Sequence, residues 1–276
     1  RGLSSWQGGG PISGDIIDAV VTASGVRTRP LRQAREWGYQ RLSAMGTLLM
    51  MDAAPPPVAR AVDGGCASTL AFELSDGANR IVVNCGGARM ANATLPPALC
   101  EGLRTTAAHS TLVLGDANST ALQADGSLGR GVAEVELARG ETDAASRIEA
   151  SHDGYVRRMG FLHRRTIALG SDGRDVRGED SLLPSGRARP KAKGYAIRFH
   201  LAPTVEVAAT ADGQGAVLRL PGNILWQFRC KGAVLALEES LWIDGDGRPH
   251  PTEQIVVSGE AAVGGTSVSW WFHRSK

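Results

Sequence analysis

Cys66-Ala-Ser-Thr-Leu-Ala-Phe-Glu-Leu-Ser75, Ile81-Val-Val-Asn-Cys-Gly86 and Thr106-Ala-Ala-His-Ser-Thr-Leu-Val-Leu114 decide how this chain is read. Each block is alternating or fully apolar and reads as a β-strand. Each also carries a polar residue able to coordinate something at a strand end: Cys66, Asn84 and His109. Three strands of one sheet can bring such distant residues together, so the blocks predict a shared pocket as well as a sheet.

Working outward, the pattern continues as short strands separated by turn signals. Asp76-Gly77, Asp125-Gly126, Asp172-Gly173, Asp212-Gly213 and Asp244-Gly-Asp-Gly247 lie along the chain from Tyr39 onward. Asp-Gly between apolar runs marks a hairpin, because the turn needs a positive φ that glycine adopts at least cost. Strand follows strand without an intervening amphipathic helix. This predicts an all-β fold, a large antiparallel sandwich of two stacked sheets, rather than an α/β fold. One internal exception is expected, because Pro96 to Arg104 permits about two helical turns.

The first 38 residues are different. Ser13-Gly14-Asp15 is a plausible helix cap, followed by Ile16, Ile17, Val20 and Val21 at helical spacing. Arg27, Arg29, Pro30, Arg32 and Arg35 then make a basic connector. The expected division is therefore a short helical segment and linker over 1–38 and a β-sandwich over 39–276.

Composition bounds the alternatives. A chain of 276 residues with 35 glycines and few aromatics suits many tight turns around one sizeable core. A net charge of +2 with scattered basic residues gives no argument for a nucleic-acid partner. No apolar run reaches the length of a membrane span. Four cysteines, at 66, 85, 100 and 230, are too few and too unevenly spaced for a disulfide framework. The chain begins at Arg1 without an initiator Met and reads as the tail of a longer polypeptide.

The stretch from Cys66 to Leu114 resembles the carboxy-terminal β domain of the heparinase II/III-like polysaccharide lyases. There a His-x-His-x-Asp-x-Leu-Ser-Phe-Glu strand leads to a Val-Asp-x-Gly strand and then to a His-Asn-Thr-Val strand. Aligned on Leu70, Phe72 and Glu73, the first two histidines fall on Gly64 and Cys66, the aspartate on Asn84 and the last histidine on His109. Ala150-Ser-His-Asp-Gly-Tyr155 and Leu162-His-Arg-Arg165 are similar to the family's His-x-Gly-Tyr and His-Arg strands. Arg41-Leu-Ser43 with Thr47 to Asp52 resembles the strand that opens its β domain, and the resemblance covers roughly residues 1–240.

The resemblance implies a supersandwich-like β domain preceded by an α/α toroid, of which residues 1–38 would keep the last helix and linker. It implies β-elimination on a uronate-containing acidic polysaccharide, by a carbon-oxygen lyase in the periplasm or cell envelope. Such a reaction needs a base for the proton beside the carboxylate and donors to neutralise that carboxylate. Most of that apparatus sits on the toroid, so this chain alone is expected to be inactive. Glycine at 64 cannot transfer a proton, and Asp63 lies one residue away on the opposite strand face. Cys66, Asn84 and His109 would form the metal site, with zinc the metal that thiolate and imidazole suit.

Other candidates come from the middle of the chain. Tyr155 beside His152 is the candidate acid or base, and Arg157, Arg158 and Arg164 are candidates for binding the carboxylates or sulfates of the polysaccharide. A solvated sheet face is the plainer account of the same residues. Asp244-Gly-Asp-Gly247 lacks the glutamate of a calcium loop and reads as a hairpin turn. Trp6-Gln-Gly-Gly-Gly-Pro follows no strand and is not a phosphate loop. The alternative to a lyase half is a non-catalytic module that binds glycan or supports its neighbour, suggested by Gly64, Cys66 and Asn84 at the motif positions.

Overall fold

A computed structural model describes residues 14–27, 33–34, 38–57, 65–86, 95–244 and 247–275. The strands in chain order are β1 (Gln33–Ala34), β2 (Tyr39–Ala44), β3 (Thr47–Asp52), β4 (Phe72–Asp76), β5 (Asn79–Val83), β6 (Leu112–Leu114), β7 (Val135–Glu141), β8 (Ala145–His152) and β9 (Phe161–Gly170). They continue as β10 (Asp175–Pro184), β11 (Lys193–Leu201), β12 (Glu206–Ala209), β13 (Gly215–Leu220), β14 (Ile224–Lys231), β15 (Val234–Ile243), β16 (Pro249–Ala261) and β17 (Thr266–Arg274). The helices are α1 (Gly14–Ser24), α2 (Pro97–Gly102) and the single turn α3 (Val156–Met159).

Two antiparallel sheets form the sandwich that the alternating pattern predicts. The first runs β1-β2-β3-β4-β5-β11-β16-β15, with β6 pairing the same edge of β11 as β5. The second runs β12-β13-β14-β17-β10-β9-β8-β7. Strand β9 shows the cause most plainly: Phe161, His163, Arg165, Ile167 and Leu169 are buried while the residues between them are partly exposed. Gly77 and Gly173 supply the left-handed corners of the β4–β5 and β9–β10 hairpins, at φ of 57° and 70°. Sheet pairing already begins at Gln33, which pairs Gln40, so the sheet extends ahead of Tyr39.

The interior is aromatic. Phe72 of the first sheet stacks on Trp270 of the second with ring centroids 5.5 Å apart, and Phe199 packs edge-on against Trp270 and Phe272. Each such ring fully withdrawn from water contributes about 2–3 kcal/mol, so this cluster is the main apolar tie between the sheets. Indole N–H groups are satisfied inside it: Trp270 donates to Asp180 at 2.8 Å and Trp226 to Asp76 at 3.2 Å.

Two of the three opening blocks are less regular than their sequence suggests. Residues 66–71 form a turn-rich approach to β4, with Leu70 itself left-handed at φ 65° and Ala71 N–H donating to Ser68. Residues 106–108 are a short 3-10 helix, and the strand is confined to Leu112–Leu114. Ser, Thr and Asn explain the difference by offering side-chain hydrogen bonds in place of a ladder. Ser68 donates to Asp52, Thr106 to Ala67 O, and Ser110 to Val83 O. The helix α2 occupies the Pro96–Arg104 segment as expected. Ile16, Val20 and Val21 of α1 are exposed.

Candidate functional site

Loops at one end of the sandwich gather the sequence candidates. Arg104 ties them together, donating from Nε to Gly65 O at 2.9 Å and from Nη1 to Gly126 O at 2.6 Å. Arg158 donates to Asn118 O across the same end. Gly154 allows the 119–132 loop to lie against the turn before α3, and Gly131 allows that loop to close on itself. A Cβ at Gly154 would sit 2.5 Å from Ser119 O, and one at Gly131 would sit 2.2 Å from Thr120 Cα.

Strands β8 and β9 do pair, with His152 opposite His163, and strand alternation then sorts the polar residues by face. His152, His163 and Arg165 point into the sandwich and are buried, whereas Arg164 points out. His163 approaches Asp180 through Nε2 at 2.7 Å and His152 through Nδ1 at 3.1 Å. Arg165 binds both oxygens of Asp180, at 2.8 and 3.0 Å, and reaches across to Leu70 O and Ser110 O at 2.7 and 2.8 Å. Burial pushes both imidazoles below their ordinary range, outweighing Asp180 for His163 and reinforced by His163 and Arg165 for His152. Burial alone would raise the Asp180 carboxyl, but Arg165 and the bond from His163 hold it below the usual carboxylate range. The group is a neutral imidazole pair beside a buried ion pair.

Tyr155 packs on His152 with ring centroids 5.5 Å apart, as the sequence places it. Its ring is fully buried, and its hydroxyl donates to Leu112 O at 2.9 Å. Burial pushes the phenol well above its ordinary value. In this position Tyr155 anchors the α3 turn to β6.

The arginines divide. Arg157 and Arg158 line a cavity of about 620 Å³ together with Arg130, whose neighbours Gly129 and Gly131 also line it. Asp153 supplies the one carboxylate in the lining, and it accepts from the N–H groups of Ala133 and Glu134 at 2.8 and 3.2 Å. Arg164 lines a different cavity, on the outer sheet face, beside Glu136 and Glu149. Arginines lining one cavity suit bidentate contact with carboxylate or sulfate.

Cys66, Asn84 and His109 are all buried at this end. Asn84 accepts from Ser110 N–H at 2.8 Å, which sets it beside His109 in the chain, and its amide nitrogen lies 3.4 Å from Glu73. His109 Nδ1 is 2.7 Å from Thr105 O, and burial lowers the imidazole to about 4. Zinc is held by several anionic or imidazole donors with free lone pairs, and Asn84 brings only a neutral amide already bonded to Ser110 and Glu73. Among the described residues no group of three His, Cys, Asp or Glu side chains is placed to hold a metal ion. Gly64 and Asp63 lie outside the described residues.

A second polar group lies under α2. His200 faces Ala107 O through Nε2 at 2.9 Å and Ser240 Oγ through Nδ1 at 2.7 Å, with the Cys85 sulfur 3.5 Å from Nδ1. Burial lowers His200 to about 3 and raises the Cys85 thiol to about 11, so the thiol stays protonated near neutral pH.

The family model for heparinase II/III-like, C-terminal, matches residues 26–271. The chain belongs to that family. Solved structures agree on the fold. The heparinase III BT4657 gene product aligns over 100% of this chain and 44% of its own, at 11% identity and a TM-score of 0.75. Heparan sulfate lyase HepC from Pedobacter heparinus aligns over 96% of this chain and 40% of its own, at 13% identity and a TM-score of 0.72. Among curated proteins, FtsZ-localized protein C of Caulobacter vibrioides is 28% identical across 97% of this chain and 48% of its own length. The chain thus spans about half the length of that relative and two fifths of the lyases. No described helix is long and apolar enough to cross a membrane.

Two features escaped the sequence reading. Arg130 carries a signal in its flanking glycines, which free the backbone for close approach. Asp180 carries none, because its partner Arg165 is fifteen residues away on the neighbouring strand and only the register brings them together.

Proposed function

We propose that this chain is a non-catalytic β-sandwich module of a heparinase II/III-like protein, and that it binds an acidic polysaccharide at the Arg130–Arg157–Arg158 cavity. The observation that carries this reading is the cavity itself: Arg130, Arg157 and Arg158 line about 620 Å³, and the one carboxylate in the lining, Asp153, is already engaged by backbone donors. The burial of the candidate acids and bases among the described residues supports the non-catalytic part. Tyr155, His152, His163 and His109 are buried and hydrogen-bonded within the protein. A curated relative that spans nearly the whole chain is named for localisation with FtsZ rather than for action on a glycan, which fits the same reading. We propose the periplasm or cell envelope as the compartment in which such a ligand would be met.

A second reading keeps lyase chemistry, with this sandwich serving a toroid earlier in the same polypeptide. It is favoured by family membership and by the chain's span of about two fifths of the heparinases. In that case the arginine cavity would hold substrate while the toroid supplies the base.

The test is titration of the purified chain with heparan sulfate and with alginate, with the release of unsaturated uronate followed by ultraviolet absorbance. We expect salt-sensitive binding, at least tenfold weaker in the Arg130→Gln/Arg157→Gln variant, and no absorbance change. Undiminished binding in that variant rejects the cavity. An absorbance rise from the chain alone rejects the non-catalytic assignment. A rise seen only with the full-length parent protein supports the second reading.

A further inference from the structure

The outer face of the second sheet carries a feature unrelated to the arginine cavity. Strand register places Ala168, Arg177, Trp271 and Arg229 in one row across β9, β10, β17 and β14. Trp271 is 37% exposed, in the middle of a solvent-facing sheet. Arg229 is paired with Asp212, whereas Arg177 is exposed and makes no hydrogen bond or ion pair among the described residues. The short side chains of Ala168, Thr166 and Ser269 leave a trough of about 660 Å³ beside the indole and Arg177. That volume lies in the range of small-ligand sites.

The charges decide what fits. Two carboxylates line the trough, Asp175, which is 2.9 Å from His273, and Glu179, which accepts from Ser181 at 3.1 Å. Against them stands one unpaired guanidinium. A polyanion would meet two like charges for each favourable one, and a polycation would meet Arg177 beside the Trp271 face. A neutral polyhydroxylated ring avoids both penalties: its hydroxyls donate to the carboxylates and accept from Arg177, while its C–H face lies on the indole.

We propose that this trough is a binding site for a neutral hexopyranose chain, stacked on Trp271 and held by Arg177 and Glu179. It is independent of the acidic-polysaccharide reading, since it lies on the outer face of the second sheet and uses none of the same residues.

The experiment titrates the purified chain with cellohexaose, chitohexaose, mannohexaose and maltohexaose, by calorimetry and by tryptophan fluorescence, at low and high salt. Binding of at least one oligomer is expected, little changed by salt, with an emission shift. Trp271→Ala should weaken it at least tenfold, and Ala168→Met, which fills the trough without touching the indole, should do the same. Arg130→Gln/Arg157→Gln should leave it intact, which separates this site from the arginine cavity. Failure of all four oligomers to bind overturns the proposal, as does binding that survives both Trp271→Ala and Ala168→Met.

Discussion

His163 and Asp180 form a directed hydrogen bond at 2.7 Å whose polarity is set from the far side of the pair. Gly154 N–H donates into His152 Nδ1 at 3.1 Å, so the neutral His152 carries its proton on Nε2 and gives it to His163 Nδ1. His163 must then be protonated on Nε2, which donates to Asp180. The chain of donors runs one way from a loop at the sandwich end to a carboxylate in the core, and Arg165 completes it by clamping that carboxylate. Arg165 also caps two carbonyls of the opposite sheet side, including that of the left-handed Leu70. The candidate catalytic histidine is thus one link of a structural tie.

That tie predicts a large response to mutation of either partner. Arg165→Met leaves the Asp180 charge buried and uncompensated, and a buried pair broken on one side costs about 3–5 kcal/mol. Asp180→Leu should cost as much by stranding Arg165, and the double variant should recover part of the loss. Urea denaturation of the three variants measures this; losses below about 1 kcal/mol for either single change would show that the pair is not holding the sheets.

Acid sensitivity follows from the buried imidazoles. His109 and His200 are lowered to about 4 and about 3, and His152 and His163 are also lowered, all by burial first. A lowered folded value means that the unfolded chain takes up protons first. Their contribution is therefore complete above the ordinary imidazole value near 6.5 and is lost as pH falls toward 4, at about 1.4 kcal/mol per pH unit for each group. Denaturation midpoints should fall from pH 7 to pH 4.5, and His200→Gln should make that fall shallower. A midpoint that rises on acidification would contradict the assignment of neutral imidazoles.

The two-sheet sandwich was legible because alternation and Asp-Gly turns are local signals. β9 and the β4–β5 hairpin can be read from their own residues. The opening blocks were legible only in part, since Ser68 binds the Asp52 carboxylate and Thr106 and Ser110 bind backbone carbonyls far away in the chain, and that turns apparent strand into turns and a 3-10 helix. At the candidate site, the grouping of Arg157 with Arg158 follows from adjacency, but the separation of Arg164 depends on its strand face and the arrival of Arg130 on a loop packed from elsewhere. Convergence across the sheets, as in Arg165 with Leu70 and Ser110, leaves no mark in a single sequence.

Tyr155 separates the structural from the catalytic account directly. Its hydroxyl donates to Leu112 O inside the core, so Tyr155→Phe strands one buried carbonyl and should cost about 1 kcal/mol in denaturation. Affinity for heparan sulfate should stay within twofold, because the phenol does not line the arginine cavity. A tenfold loss of affinity with unchanged stability would instead place the hydroxyl at the ligand.

Gly154 tests how the arginine cavity is assembled, because its role lies in space rather than chemistry. A methyl group there would lie 2.5 Å from Ser119 O, 2.8 Å from Val132 Cγ2 and 3.1 Å from His152 Nδ1. The first contact is with backbone that the 119–132 loop cannot easily withdraw, since Ser119 N–H donates to Thr106 at 2.9 Å. Gly154→Ala must therefore push the loop away from the turn before α3, costing about 1–3 kcal/mol by overpacking and parting Arg130 from Arg157 and Arg158. We predict that this one variant lowers both the denaturation midpoint and the affinity for heparan sulfate, whereas Arg157→Gln lowers affinity alone. If Gly154→Ala loses stability yet binds as tightly as the parent chain, Arg130 is not part of the same binding cavity.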